Sequence, residues 1–150
     1  MKTLLIIISF IVFGHATAQD IKILPVHNDI QLLTDGWYKF ELEDAYFDVE
    51  ILQGKYAKGN IIWKDGTSYS GNLNGQYISG RGTYIWSSGM RYEGAFKKGK
   101  RHGKGSLILL NGTKWSGKWK QNLKNGKGKI FNSKGDITDS GVWDNDERIS

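Results

Sequence analysis

Five Lys or Arg and four Gly fall within the twelve residues Gly94 to Gly105, GAFKKGKRHGKG, and the first chemistry such a run suggests is a backbone cradle for phosphate. A P-loop requires Gly-x-x-x-x-Gly-Lys-Ser/Thr at the start of a helix, and Gly99 to Gly105 offers neither that spacing, nor the hydroxyl, nor a helical period after it. The acidic group Glu41, Glu43, Asp44, Asp48 and Glu50 has the residue types for a glycosidase carboxylate pair or a calcium site. Its spacing is diagnostic of neither, and a solvated strand face is the simpler reading. His27 and His102 stand far apart and in no metal-ligand spacing, and the chain has no Cys to serve as nucleophile, thiolate ligand or disulfide. No catalytic, cofactor-binding or metal-binding residue is assigned, and the chain reads as non-enzymatic.

The Gly-Lys run belongs to a repeat. Aligned on itself at 23 residues, the chain places Gly66, Gly89, Gly112 and Gly135 in one column, Gly71, Gly94 and Gly117 in a second, and Gly80, Gly103 and Gly126 in a third. Gly59, Gly82, Gly105 and Gly128 form a fourth, and Gly141 continues the second after one inserted residue, so that 15 of the 20 glycines are in register. Tyr69, Tyr92 and Trp115 precede the second-column glycine by two, while Leu73, Phe96, Trp119 and Trp143 follow it by two. Alternation at spacing two is the strand signature, and Asp65-Gly66 and Asn111-Gly112 are tight-turn signals, so each unit is a β-hairpin. Within it, residues 97–102 read as a polar connecting loop.

The pattern Tyr92-Glu93-Gly94-Ala95-Phe96 followed by Gly103-Lys104-Gly105 resembles the MORN (membrane occupation and recognition nexus) repeat. The resemblance covers 69–91, 92–114 and 115–138, with a partial copy over 139–150. It implies an all-β fold, an elongated, twisted, single-layer antiparallel sheet of consecutive β-hairpins. One hairpin buries too little to stand alone, so the units must stack. The resemblance also implies association with acidic phospholipids, or service as a protein-binding and dimerising scaffold.

Before the array, residues 1–18 read as a cleaved export signal. Lys2 gives a positive start, Leu4 to Phe13 an apolar run too short to span a bilayer, and Ala16-Thr17-Ala18 a small-residue cleavage pattern, so the mature chain begins at Gln19 and the protein is periplasmic or secreted. Residues 19–45 form an N-terminal capping segment, and 46–68 a degenerate repeat in which Tyr46 occupies the aromatic column. At this alignment Asp48 stands where Gly belongs, and Phe47, Val49 and Ile51 sit one position off, which turns them to the opposite face.

Two surfaces are candidates for binding. Between Arg91 and Lys129 lie 12 Lys or Arg and one acid, whereas residues 19–57 hold 8 acids and 3 bases. Lys97, Lys98, Lys100, Arg101 and Lys104 are the candidate contacts for acidic lipid headgroups or anionic envelope polysaccharide, attracted in a salt-dependent way. Nucleic acid is not expected as a partner of an exported chain. The second candidate is an aromatic face of Tyr69, Tyr92, Trp115, Phe96, Trp119 and Trp86, a groove for a partner peptide, a second copy or stacked sugar rings. The combined expectation is an exported interaction scaffold with a protein partner.

Overall fold

Apolar and polar residues alternate at spacing two between glycine-bearing turns, which gives strands with one wet and one dry face. The computed structural model describes residues 20–25 and 27–150; the export signal read over 1–18 lies outside them. After a 3-10 turn at Asn28–Leu32 come β1 (Gly36–Leu42), β2 (Ala45–Leu52), β3 (Lys55–Trp63), β4 (Ser68–Asn74), β5 (Tyr77–Ile85) and β6 (Arg91–Lys97). They are followed by β7 (Lys100–Ile108), β8 (Lys114–Lys120), β9 (Leu123–Phe131), β10 (Ile137–Asp144) and β11 (Glu147–Arg148). All 11 strands form one open antiparallel sheet in sequence order. The all-β array of consecutive hairpins expected from the repeat is the observed fold.

Two kinds of turn alternate along the sheet's two ends. At one end the turns have two residues, and in most of them both are at positive φ, as in Lys98 and Gly99 at 48° and 74°, Gln121 and Asn122 at 47° and 72°, and Asn145 and Asp146 at 47° and 70°. Such turns match the right-handed twist of the strands they join. At the other end Asp65, Asn111 and Asn132 accept the amide N–H two residues on, at 2.8, 2.9 and 3.0 Å.

A single line of glycines crosses the sheet. Gly59, Gly71, Gly82, Gly94, Gly105, Gly117, Gly128 and Gly141 are each paired directly with the next, from β3 to β10. The space their missing side chains leave is filled by rings. A Cβ on Gly82 would lie 2.6 Å from Tyr69 Cε2, one on Gly105 2.6 Å from Tyr92 Cε2, and one on Gly128 2.7 Å from Trp115 Cε2. The core is therefore a layer of aromatic residues lying flat along a glycine track on one face, the ring face.

The N-terminal segment covers the first half of that face. Ile21, Leu24 and Ile30 are buried; the Leu24 N–H donates to Gln76 O at 3.0 Å and Tyr56 Oη donates to Pro25 O at 3.1 Å. Lys22 Nζ reaches Asp65 at 2.8 Å, and with the Thr67 N–H it holds that carboxyl down to about 2. The sheet is thus single-layered only beyond this segment.

The degenerate unit corrects the sequence reading. Phe47, Val49 and Ile51 are fully buried on the ring face, and Tyr46, assigned to the aromatic column, is 55% exposed on the other. Val49 pairs with Gly59 and so extends the glycine line, which places this unit 22 residues, not 23, before the next. Between the paired positions of β4 and β5, Asn72 faces Ser79, Gly80 and Arg81, whereas in β2 and β3 Glu50 faces only Ala57 and Lys58. The first unit lacks the residue that in later units accompanies the left-handed bulge glycines Gly80, Gly103 and Gly126.

Candidate interaction surface

The repeats that begin at Tyr69 and Tyr92 build their ring faces in the same way, and the third places Trp115 at the tyrosine position. The tyrosine two residues before the paired glycine extends along the strand and donates to a carbonyl three residues on, Tyr69 Oη to Asn72 O at 2.6 Å and Tyr92 Oη to Ala95 O at 2.9 Å. Rings then meet edge to face along a strand, Tyr92 with Phe96 at 5.0 Å and Trp115 with Trp119 at 4.9 Å, and across strands, Tyr92 with Trp119 at 5.4 Å and Trp115 with Trp143 at 5.5 Å. Burial raises the hydroxyls of Tyr56 and Tyr84 to about 12, and those of Tyr69 and Tyr92 are raised too.

This arrangement overturns the expectation of an open aromatic groove. Tyr69, Trp86, Tyr92, Phe96, Trp115 and Trp119 are all at most 6% exposed. They cover one another, and where the N-terminal segment does not reach, cations roof them. Arg101 lies 4.4 Å over Trp119, Lys124 5.6 Å over Trp115 and Arg148 6.0 Å over Trp143. One repeat earlier the position of Arg101 is held by Ile78, fully buried in the same layer.

The candidate cations do not form one cluster. The residues read as a polar loop are the two-residue turn Lys98-Gly99 between strands that run up to it, with Lys97 paired to Lys100. Lys97, Lys98 and Lys100 are exposed at that tip. Arg101 is only 1% exposed, so it is not a surface contact as the sequence suggests. Its Nη2 donates to Asn122 O at 2.7 Å, it stacks on Trp119, and burial pulls its guanidinium down to about 10, still charged at neutral pH.

Lys104 projects to the opposite, outer face of the sheet, away from the tip, where it meets Arg81, Lys118 and Lys127 around a shallow groove of about 410 Å³ floored by Ser106 and Ser116. The acids of the N-terminal strands share that face but are engaged: Lys39 with Asp48 at 3.4 Å, Lys58 with Glu50 at 3.3 Å, Lys64 with Glu41 at 2.7 Å. Among the described residues no group of three or more His, Asp or Glu is placed to hold a metal ion.

The outer face of β1 to β3 also carries large apolar side chains that sequence reasoning did not place there. Tyr46 and Ile62 stand directly opposite one another, 55% and 58% exposed, and Trp37 on β1 is 56% exposed. The signal that could have found them is strand parity, obscured by the one-residue offset of the first unit.

A family model described as the MORN repeat matches residues 69–91, 92–114 and 115–137, the three hairpins from β4 to the β9–β10 turn. A comparison with curated proteins finds no match.

Proposed function

We propose, from the premise that residues 69–137 of this chain are three consecutive MORN repeats, that it acts as a non-enzymatic scaffold whose outer face takes a protein partner at Trp37, Tyr46 and Ile62. MORN repeats are generally interaction modules, and in this chain the ring face is filled from within, so a partner has the outer face and the turn ends to bind. The observation that carries the reading is the exposure of a Trp, a Tyr and an Ile on one side of three adjacent strands, side chains of the kind that anchor protein interfaces. A photo-crosslinking residue at Ile62, in cells, should give a discrete adduct that Trp37→Ala with Tyr46→Ser abolishes. An adduct of twice the chain's own mass identifies the partner as a second copy. No adduct beyond that given by a crosslinker at exposed Thr138 would sink the reading.

A second reading rests on the tip. Lys97, Lys98 and Lys100 crowd one turn with no acid engaged to them among the described residues, a geometry suited to acidic headgroups. Sedimentation with anionic and neutral vesicles across a salt series tests it, with K97Q/K98Q/K100Q as the control. We further propose export by the signal over residues 1–18; the first residue of the secreted protein should then be Gln19.

A further inference from the structure

On the outer face of β7 and β8, Lys104 and Lys118 are directly paired across the strands. Like charges directly opposite one another weaken a sheet. The preceding repeat avoids the conflict, since Arg81 there faces Ala95. The third repeat adds Lys127, so Arg81, Lys104, Lys118 and Lys127 line one groove. The one acid in it, Glu93, is already held by Arg91 at 2.9 Å, and no other ion pair reaches the four cations among the described residues. On the outer face of the N-terminal strands, by contrast, Lys39 and Lys58 each have a carboxylate partner, as does Lys64 beside them.

From this we infer that the groove of Arg81, Lys104, Lys118 and Lys127 is a binding site for a linear anionic polysaccharide. Four observations select that class. The site is not a point: Arg81, Lys104 and Lys127 come from successive hairpins, and two strand spacings set them about 10 Å apart. A chain of sugars with one carboxylate or sulfate per disaccharide repeats its charge on that length scale. The floor is polar, Ser106 Oγ bonded to Ser116 Oγ at 2.8 Å with oxygen lone pairs left to accept from sugar hydroxyls. The groove is open and shallow, a form that admits a polymer running across the strands. Finally, no aromatic ring lines it, so the stacking platform that single-stranded nucleic acid uses is missing.

The test compares two variants that remove equal charge. K104Q/K118Q/K127Q should lose about tenfold or more in affinity for hyaluronan or keratan sulfate oligosaccharides, whereas K97Q/K98Q/K100Q at the tip should lose less than about threefold. K97Q/K98Q/K100Q should melt like the parent, and K104Q/K118Q/K127Q, which removes the paired like charges, should melt no lower than the parent. Lys118→Ala, which restores the arrangement of the preceding repeat, should raise the melting temperature of the free protein and abolish the extra stabilisation that polysaccharide gives the parent. The inference is overturned if the two triple variants weaken binding equally, if neither oligosaccharide binds, or if single-stranded DNA or anionic vesicles bind this groove more tightly than the sugars. Because Trp37, Tyr46 and Ile62 lie outside the groove, none of these outcomes depends on the protein-partner reading.

Discussion

Gly105→Ala isolates the physics of the glycine line. Gly105 has an extended backbone that alanine adopts without strain, so any cost comes from space. The new methyl would overlap the Tyr92 ring, 2.6 Å from Cε2 and closer still to Cζ and Oη, and the strands on either side leave the backbone nowhere to move. Tyr92 is fully buried and donates to Ala95 O at 2.9 Å, so expelling its ring forfeits packing and a hydrogen bond together. Loss of a buried aromatic side chain costs about 3–5 kcal/mol, and that is the destabilisation expected. Gly103→Ala, two residues away, is the control: its nearest neighbour would be Ala95 Cβ at 3.5 Å, and only the left-handed φ of 73° opposes it, at roughly 1–2 kcal/mol. Urea unfolding followed by tryptophan fluorescence and circular dichroism measures both. In a Tyr92→Leu background the penalty for Gly105→Ala should fall by at least about 2 kcal/mol, a coupling that a double-mutant cycle reads directly. If Gly105→Ala costs no more than Gly103→Ala, or if its penalty is unchanged without the ring, the account of the glycine line is wrong.

Arg101→Gln should destabilise the fold by about 2 kcal/mol or more through the loss of a desolvated cation over Trp119, Trp86 and Tyr92, while Lys98→Gln stays within about 0.5 kcal/mol; chemical denaturation of the pair decides it. Leu24→Ala, at a residue of the N-terminal segment that is 2% exposed, should cost about 2–4 kcal/mol and speed exchange of the amide at position 24, which nuclear magnetic resonance reads residue by residue. Alkaline pH should unfold the protein cooperatively. Tyr56, Tyr69, Tyr84 and Tyr92 are held protonated in the fold, so above about pH 10 the unfolded chain binds fewer protons than the native one and stability falls as pH rises. Each contributes about 1.4 kcal/mol per pH unit, until its folded value is reached. Tyrosinate absorbance of these four of the seven tyrosines should therefore appear together with loss of the sheet signal. Gradual titration of all seven without unfolding would refute it.

The hairpin array was legible because glycine and the aromatics are hard to substitute: a ring needs a bare backbone to lie on, and the pairing of Gly94 with Gly105 and of Gly105 with Gly117 repeats that need at fixed spacing. Arg101 was misread for a different reason. Its neighbours Lys98, Lys100 and Lys104 are exposed, and a charged run ordinarily stays in water, so by sequence the run reads as loop. Parity was available, since 101, 105 and 107 share a side and Leu107 is buried, but it applies only once the strand is known to begin at Lys100. What roofs Arg101's position is supplied by Trp86, Tyr92 and Trp119 from three separate stretches of chain, and no local pattern shows that. The same limit applies to the outer groove, which gathers Arg81, Lys104, Lys118 and Lys127 from four strands.

The sequence-ordered meander has a mechanical consequence. Every strand's neighbours in the sheet are its neighbours in the chain, and β1 and β11 lie at opposite margins. A load drawn between the two ends of the sheet therefore acts across the strands and opens their hydrogen bonds one after another, as a zip, not all at once in shear. β10 and β11 would peel first, because the strap from Ile21 to Leu24 ties back to β5 through Tyr84 and to the turn before it through Gln76, bracing the other margin. Each hairpin released would lengthen the tether by a fixed increment while the braced strands held, so the molecule under tension is a ratchet of equal steps with one reinforced end.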